Sequence, residues 1–537
     1  MCGIFGVVSD KPSDWTSEIK MLARHAQQRG RDASGVVVLR QNVYEVTRSN
    51  EPLLNLLDRV DMIGADIFMG HSRLVTNGID DNQPIVRDGI ITLHNGIVVN
   101  ADELWGASDE VRKQSIDTEI IPALVNETLS NGGDVSEAVV NVFRKCSGTI
   151  SAALTVPSRG CLVLMTNNGS LYTGSKEGAK FFSSEEFPLR QISCEDIEPV
   201  CKFALYGINE SVPVINEQQE VKKERRNLLP TFLENVTQEH LLEYEEPSLR
   251  RCSVCILPET MPFIRFNKDG VCNYCNNYKS KNQAKSISVL KALVDPYRRQ
   301  GEPECIVPFS GGRDSSYALH LVVEELGMKP ITYTYDWGMV TDLARRNISR
   351  MCSSLNVENI IIAADIDRKR DNIRKNLSAW LRRPHLGMLS MLTAGDKHFF
   401  QHIETVKKQT AISLNLWGVN PLEVTHFKAG FLGIPPAFEE KYVYSQGFQR
   451  QLRYQLKRAY QYLRNPGYLN SSLYDTASGE YWRSIHKKSD YFHLFDFWPW
   501  DEERVDEVLE KYDWEKAPDT KTTWRIGDGT AAFYNYV

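Results

Sequence analysis

Residues 304–337, ECIVPFSGGRDSSYALHLVVEELGMKPITYTYDW, leave a folding chain few choices. A short apolar run leads into a glycine-serine loop, then an amphipathic stretch that stops near Gly327, then a second run rich in β-branched and aromatic residues. Strand, loop, helix and strand in that order open a doubly wound parallel sheet, because strands joined by a helical crossover run parallel. The SGGRDSS loop then lies beyond the carboxyl end of a strand and at a helix N-terminus, where unpaired N–H groups and the helix dipole favour an anion. Gly311 and Gly312 permit close backbone approach, and Ser310, Ser315 and Ser316 add hydroxyl donors. The Lys-[ST] ending of a P-loop is absent. Further strands are expected in ENIIIAAD (358–365) and SLNLWGVNP (413–421), with mostly helix between 366 and 410. The aromatic stretch YFHLFDFWPW (491–500) reads as core or interface, since no basic residues interleave it as they would on a base-stacking surface.

Upstream, CSVCILPETMPFIRFNKDGVCNYC (252–275) has the spacing C-x2-C-x16-C-x2-C, with a turn-forming NKDG between the pairs. Cys252, Cys255, Cys272 and Cys275 meet the tetrahedral four-thiolate requirement of structural zinc and leave no open coordination position. The expectation is a small zinc ribbon over 251–280 that holds a lobe together.

The chain opens MCGIFGVV. Removal of Met1 would leave Cys2 with a free α-amine beside its thiol. Such an amine has a reference pKa of roughly 7.7–8.0 and can take the thiol proton near neutrality. Residues 3–8 read as a strand and 13–30 as a helix with Trp15, Ile19, Leu22, Ala23 and Ala26 on one face, capped by Ser13 or Asp14 and stopped by Gly30. Strand-like runs recur to about residue 210 with few helices between, which suggests sheet packed on sheet with helices outside. Residues 211–250 are charged and weakly patterned, a connection with one helix over 227–244.

With 537 residues, the chain is long enough for about three to four domains. A net charge of −6 gives no overall basic field for nucleic acid, and no apolar run is long enough to span a bilayer. Eleven cysteines with no visible secretory leader point to reduced thiols and a cytoplasmic setting. The last residues, AAFYNYV, are expected to pack as a strand or to run on into further sequence.

CGIFGVV, RGRDASG, GHSRLVTNG, HNGIVVN and DTE occur in the order found in class II, N-terminal-cysteine glutamine amidotransferase domains, which residues 1–210 resemble. The resemblance implies an αββα N-terminal-nucleophile sandwich and a glutaminase in which Cys2 attacks the glutamine amide. It matches Arg73 to the substrate α-carboxylate and Asp117 to its ammonium. Asn95 and Gly96 match the oxyanion hole, and Arg29 is expected to order the site from behind. Leu74 and Asn77 depart from the Trp and His of sugar-phosphate-aminating members, which bears on the lid over glutamine and leaves the nucleophile untouched.

Residues 281–537 resemble ATP pyrophosphatases of the SGGxDSS type (PP-loop, HUP-like), which cleave ATP between the α- and β-phosphates and adenylylate an acceptor. Asp314 then matches the position tied to Mg²⁺ and loop geometry. Asp336 is a candidate for holding adenosine, and Lys397, Asn420 and Glu423 are candidates for facing acceptor or ammonia. The ribbon, VPFSGGRDSS and DTKTTWRIGD (519–528) look like the N-acetyl sugar amidotransferases of surface-polysaccharide synthesis, whose glutaminase is normally a separate protein. Asparagine synthetases share the domain order but lack the ribbon and differ where Arg313 stands. The resemblance implies ATP, Mg²⁺ and structural Zn²⁺, with glutamine and a small acceptor as substrates, the acceptor a nucleotide-linked sugar or a small carboxylate. The product is an acetamidine or an amide accordingly. Oligomerisation stays open. A tRNA-modifying thiolase and a non-catalytic sensor of glutamine and ATP are the readings from other classes.

Overall fold

The computed structural model describes residues 2–9, 13–74, 81–108, 110–208, 212–220, 248–278, 284–393, 396–420, 427–436, 438 and 448–516. Among the described residues of the first 220, the strands are β1 Gly3–Val8, β2 Ala33–Arg40, β3 Val43–Ser49, β4 Ile67–Arg73, β5 Ile85–Arg87, β6 Ile90–Val98, β7 Gly148–Val156, β8 Cys161–Thr166, β9 Tyr172–Lys176, β10 Ala179–Ser183, β11 Glu195–Pro199, β12 Phe203–Gly207 and β13 Val214–Glu220. They form an eight-stranded sheet ordered β11-β9-β10-β1-β4-β2-β3-β13 and a five-stranded sheet ordered β12-β8-β7-β6-β5. Strand residues alternate between two faces, and the consequence is visible in the packing. Ile4, Val37 and Met69 meet Ile91, Leu93 and Leu164 between the sheets. Their neighbours Phe5, Val36, Val38 and Phe68 face outward onto Ile19, Leu22 and Ala23 of helix Thr16–Gln28. Ile150, Ala152 and Val163 face outward onto helices Ile120–Ser130 and Val135–Lys145. The layers are therefore helix, sheet, sheet and helix, as expected for the first 210 residues.

Three local features differ from the sequence reading. The helix pair 120–145 is a full outer layer where few helices were expected; the second member starts with a reciprocal Asp134–Glu137 capping box, a signal present in the sequence. The first helix has no side-chain cap of its own, although Asp14 Oδ1 accepts from Thr16 N at 3.0 Å. Third, β13 lies in the stretch read as a connection, yet pairs in parallel with β3 from Val214↔Val43 to Glu220↔Ser49, and Arg48 holds Glu217 at 2.7 Å. An edge strand facing solvent needs no apolar alternation, so its charged sequence hid it. Residues 227–244, 519–528 and 531–537 lie outside the described residues.

Around the cysteine pairs, Asn267 Oδ1 accepts from Asp269 N and Val271 N, closing the NKDG turn, and Ser253 N donates to the Gly270 carbonyl to join the two knuckles. Beyond it, β14 Cys305–Pro308, β15 Pro330–Asp336, β16 Asn359–Ala363, β17 Asn415–Trp417 and β18 Tyr491–His493 form an all-parallel sheet in the order β16-β15-β14-β17-β18. One face packs Val307 and Phe309 on Tyr317, Ile348, Val505 and Val508; the other packs Ile306, Tyr333 and Ile360 on Ile373, Ile403 and Val406. The order reverses at β14, the switch point at which ligands of open α/β sheets bind. Among the described residues no helix is long and apolar enough to cross a membrane.

Candidate active site

Cys2 is buried at the start of β1 with its thiol 3.8 Å from the Leu74 carbonyl. Pairing of Gly3 with Ser72 sets it beside Arg73 at the end of β4. Arg29 follows helix Thr16–Gln28, is 1% exposed, and donates from Nε to the Cys2 carbonyl at 2.9 Å. Its Nη1 meets Glu185 Oε1 at 2.8 Å, so the arginine fixes the Cys2 backbone from behind. Arg73 is also buried and donates to the Asp81 carbonyl and to Asn82 Oδ1.

From the facing sheet, β6 contributes Asn95 and Gly96. Asn95 Nδ2 lies 3.4 Å from Ser184 Oγ, which in turn accepts from Ile4 N at 3.0 Å, so the amide reaches the β1 backbone two residues after Cys2 through one hydroxyl. Among the described residues Asn95 Oδ1 is buried without a partner. A Cβ on Gly96 would stand 1.9 Å from the Thr149 carbonyl oxygen, which excludes any other residue. Asp117 Oδ2 accepts from Val98 N at 2.8 Å on the same strand. Burial holds the neighbouring His94 imidazole below its ordinary range against the pull of Asp117. Asn77 lies outside the described residues.

The second constellation surrounds residues 309–316. Gly311 has φ +74 and leaves no room for a Cβ beside the Ala344 carbonyl; Ser310 and Ser315 hydroxyls lie 3.1 Å apart at the surface of the loop. Gly312 caps helix Arg313–His320 in an extended conformation. Ser316 is different from expectation: its Oγ is fully buried and accepts from Trp514 Nε1 at 3.1 Å, while its N–H is spent on the Gly312 carbonyl, so it offers nothing to a ligand. Asp314 Oδ1 accepts from Trp500 Nε1 at 2.8 Å, and Asn420 also bonds its carboxyl, which burial raises above the usual range. Arg313 lies over the Trp500 ring at 4.9 Å and pairs with Glu502. Asp336, expected to hold adenosine, has its oxygens engaged: Oδ2 by Arg345 Nη2 at 2.7 Å and Nε at 3.3 Å, Oδ1 by Gly338 N at 3.0 Å. Burial pushes its carboxyl up, but Arg345 outweighs this and holds it below the usual range. Lys397 pairs with Glu480 at 2.9 Å, and Glu423 lies outside the described residues.

The two constellations meet. Leu74, whose carbonyl faces the Cys2 thiol, packs on Ala363 and Ile366, and Ala363 is the register partner of Asp336 at the carboxyl end of the parallel sheet. Glu185 Oε1, besides holding Arg29, accepts from Ile361 N of β16 at 3.2 Å. A cavity of about 540 Å³ opens along this junction, lined by Arg29, Ser170 and Ser184 on one side and by Cys352, Asn359 and Ile361 on the other. The roles of Glu185, Trp500 and Glu502 left no local signal in the sequence, because their partners are remote along the chain.

Glu358 completes the seam: its Oε1 accepts from Phe187 N at 2.9 Å. Burial, with the nearby Glu185 and Glu186 carboxylates, pushes its carboxyl up to about 8 although the Phe187 N–H opposes the shift. A carboxyl raised on folding contributes stability that is full below its ordinary pKa of 4.5 and lost as pH rises through about 8. Glu358→Gln keeps an acceptor for Phe187 and cannot ionise. Its melting temperature is expected to stay level between about pH 6 and pH 9 where the parent's falls by several degrees; parallel calorimetric profiles would refute this.

No protein-family model matches the chain. It is similar to glutamine–fructose-6-phosphate aminotransferases (isomerizing): that of Sulfurisphaera tokodaii is 26% identical over 196 residues, covering 34% of this chain and 33% of that one. The Sulfolobus acidocaldarius protein is 29% identical over 196 residues, 34% of this chain and 33% of its own length. The Mesorhizobium japonicum protein is 28% identical over 201 residues, 35% of this chain and 32% of its own. The chain thus spans about a third of the length of the curated relatives it matches. Among solved structures, the glutamine phosphoribosylpyrophosphate amidotransferase of B. subtilis, complexed with ADP and GMP, superposes with a TM-score of 0.34 at 17% identity, covering 38% of this chain and 47% of that one. The allosteric regulatory enzyme of purine biosynthesis gives a TM-score of 0.34 at 14% identity over 67% of this chain and 80% of its own.

Proposed function

We propose that the chain is a glutamine-dependent, ATP-driven amidotransferase acting on an acetamido or carboxyl group of a nucleotide-activated sugar. The observation that supports this most directly is the contact that runs from the Cys2 thiol through Leu74 to Ala363 and Ile366, beside the switch point of the parallel sheet. The curated relatives are named glutamine–fructose-6-phosphate aminotransferases, which agrees with the first half.

In this reading the Cys2 α-amine takes the thiol proton, and the thiolate attacks the glutamine side-chain carbonyl. Asn95 Nδ2 and the Gly96 N–H stabilise the oxyanion. The C–N bond breaks, the amine returns the proton to the leaving nitrogen, and water hydrolyses the thioester to glutamate. Arg73 and Asp117 hold the substrate's α-carboxylate and α-ammonium. At the other end, N–H groups at Gly311 and Gly312 with the hydroxyls of Ser310 and Ser315 cradle the nucleotide phosphates. An acceptor oxygen attacks the α-phosphorus and pyrophosphate leaves; ammonia then attacks the adenylylated carbon and AMP leaves. Free ammonia is mostly protonated at neutral pH, so a short protected passage at the domain seam preserves its nucleophilicity. Asp314 is already held by Trp500, so Mg²⁺ enters this reading as a companion of the nucleotide phosphates.

The four cysteine sulfurs lie within 4.8 Å of one another, with Cys252 to Cys275 at 3.9 Å and Cys255 to Cys272 at 3.6 Å. Zn–S bonds of about 2.3 Å in a tetrahedron place sulfurs roughly 3.8 Å apart, so the cluster fits Zn²⁺. Burial works against ionisation of Cys252, but backbone donors from Cys255, Val254 and Cys272 pull its thiol down to about 6. Bound there, zinc would supply cross-linking only. Cys272→Ser is expected to lose about one zinc per chain by metal analysis and to lower the melting temperature, with the parent's zinc surviving dialysis.

The deciding experiment incubates the chain with ATP and glutamine across nucleotide N-acetyl sugars, nucleotide uronic acids and small free carboxylates. Mass spectrometry then separates amidine, sugar amide and amino-acid amide. Pyrophosphate release with no acceptor dependence would overturn the reading, and RNA-stimulated ATP turnover would replace it.

A further inference from the structure

We infer that helix Phe448–Arg464 is a docking face for an anionic lipid bilayer. The helix carries five cations, Arg450, Arg453, Lys457, Arg458 and Arg464, and no acid, in a chain whose net charge is −6. Its inner face is accounted for: Tyr454 and Tyr462 pack on the core with Met391 and Tyr468, and Arg458 faces Glu480. Its outer face is not. Leu452, Leu456, Tyr460 and Leu463 are 48%, 64%, 54% and 78% exposed.

At about 100° per residue these four side chains fall within an arc of roughly 80°, and Arg453, Arg464 and Lys457 fill the next 40° or so on one flank. The patch continues past the helix end, where Asn465 Nδ2 donates to the Ala379 carbonyl and Arg383 donates to that of Arg464. That joins exposed Leu469 and Leu381 to it, with Arg382 and Arg383 beside them. Among the described residues no acidic side chain pairs with Arg382, Arg453, Lys457 or Arg464.

Apolar and cationic groups side by side on one exposed helix face suit the headgroup boundary of a bilayer: leucines enter the acyl edge while arginine and lysine stems reach up to phosphates. A second copy fits less well. An isologous antiparallel contact would set the cationic flank of each helix against its own image, and like charges facing each other cost affinity. The proposed amidotransferase activity is not needed for this inference, because the contact lies on the outside of the fold.

The test is co-sedimentation of the full chain with phosphatidylcholine vesicles, with and without about one third phosphatidylglycerol. The chain should pellet with the anionic vesicles, less with the neutral ones, and detach as sodium chloride rises from about 50 to 500 mM. Arg453→Gln, Lys457→Gln and Arg464→Gln together should weaken anionic binding about a hundredfold, at about 1 kcal/mol per cation. Leu456→Gln with Leu463→Gln should weaken it at least about tenfold, with an unchanged melting temperature since both sites are exposed. Failure of the parent to bind anionic vesicles at low salt overturns the inference. So does binding indifferent to both variant sets, or self-association in sedimentation velocity that the same variants abolish. Equal binding to soluble polyglutamate that ignores the leucine changes would assign the face to an acidic protein instead.

Discussion

Replacing Cys2 by alanine is expected to abolish product formation from glutamine while leaving formation from added ammonia within about twofold of the parent. Loss of a covalent nucleophile typically costs about a thousandfold or more. The substitution is structurally mild. Arg29 grips the Cys2 carbonyl, which alanine retains, and the thiol's contact with Leu74 is a long 3.8 Å. The site should therefore keep its shape and lose only its chemistry. Parallel assays with glutamine and with ammonium chloride at raised pH, monitored by product mass, read the result. Equal loss with both nitrogen sources would mean that the thiol serves the structure of the seam and not glutamine hydrolysis.

Gly311→Ala gives the mirror image. Alanine at φ +74 pays about 1–2 kcal/mol for the left-handed conformation. Its Cβ would also stand 2.3 Å from the Ala344 carbonyl oxygen and 2.9 Å from Ile348 Cγ1, so the loop must lift off helix Asp342–Ser354. ATP-dependent synthesis should fall about a hundredfold or more, since misplacement near 1 Å can cost that much, while glutamine hydrolysis stays within about twofold. Gly312→Ala is the control. Gly312 sits at φ −76 and ψ 164, where any residue is at ease, so alanine there carries none of the left-handed strain imposed at Gly311. If Gly311→Ala turned over ATP like the parent, the loop would not be the nucleotide cradle.

Local pattern carried much of the architecture. Alternation in GVVVLR and GIITLHNGIVV and the strand-loop-helix-strand run at 304–337 have period and punctuation that physics reads directly. What escaped was long-range. Ser316 looks like a loop hydroxyl until Trp514 is seen to cover it from 198 residues away. Asp336 looks like a ligand-facing acid, but Arg345 one helical segment later takes up its charge. Glu185 and Glu358 carry no mark of their place in the sequence, yet both are buried and each accepts a backbone N–H from the other half. The helices of 120–145 were missed although Asp134 and Glu137 spell their junction, and β13 was missed because an edge strand carries no apolar stripe.

Glu185 has a consequence for how such a chain can be recombined. Its carboxylate answers to a guanidinium that steadies the Cys2 backbone and to a peptide N–H of the neighbouring sheet. An N-terminal half cut free would keep the ion pair but lose the donor from Ile361, and a substitute partner would have to offer a strand edge aimed at the same oxygen. At this oxygen the halves are keyed to each other.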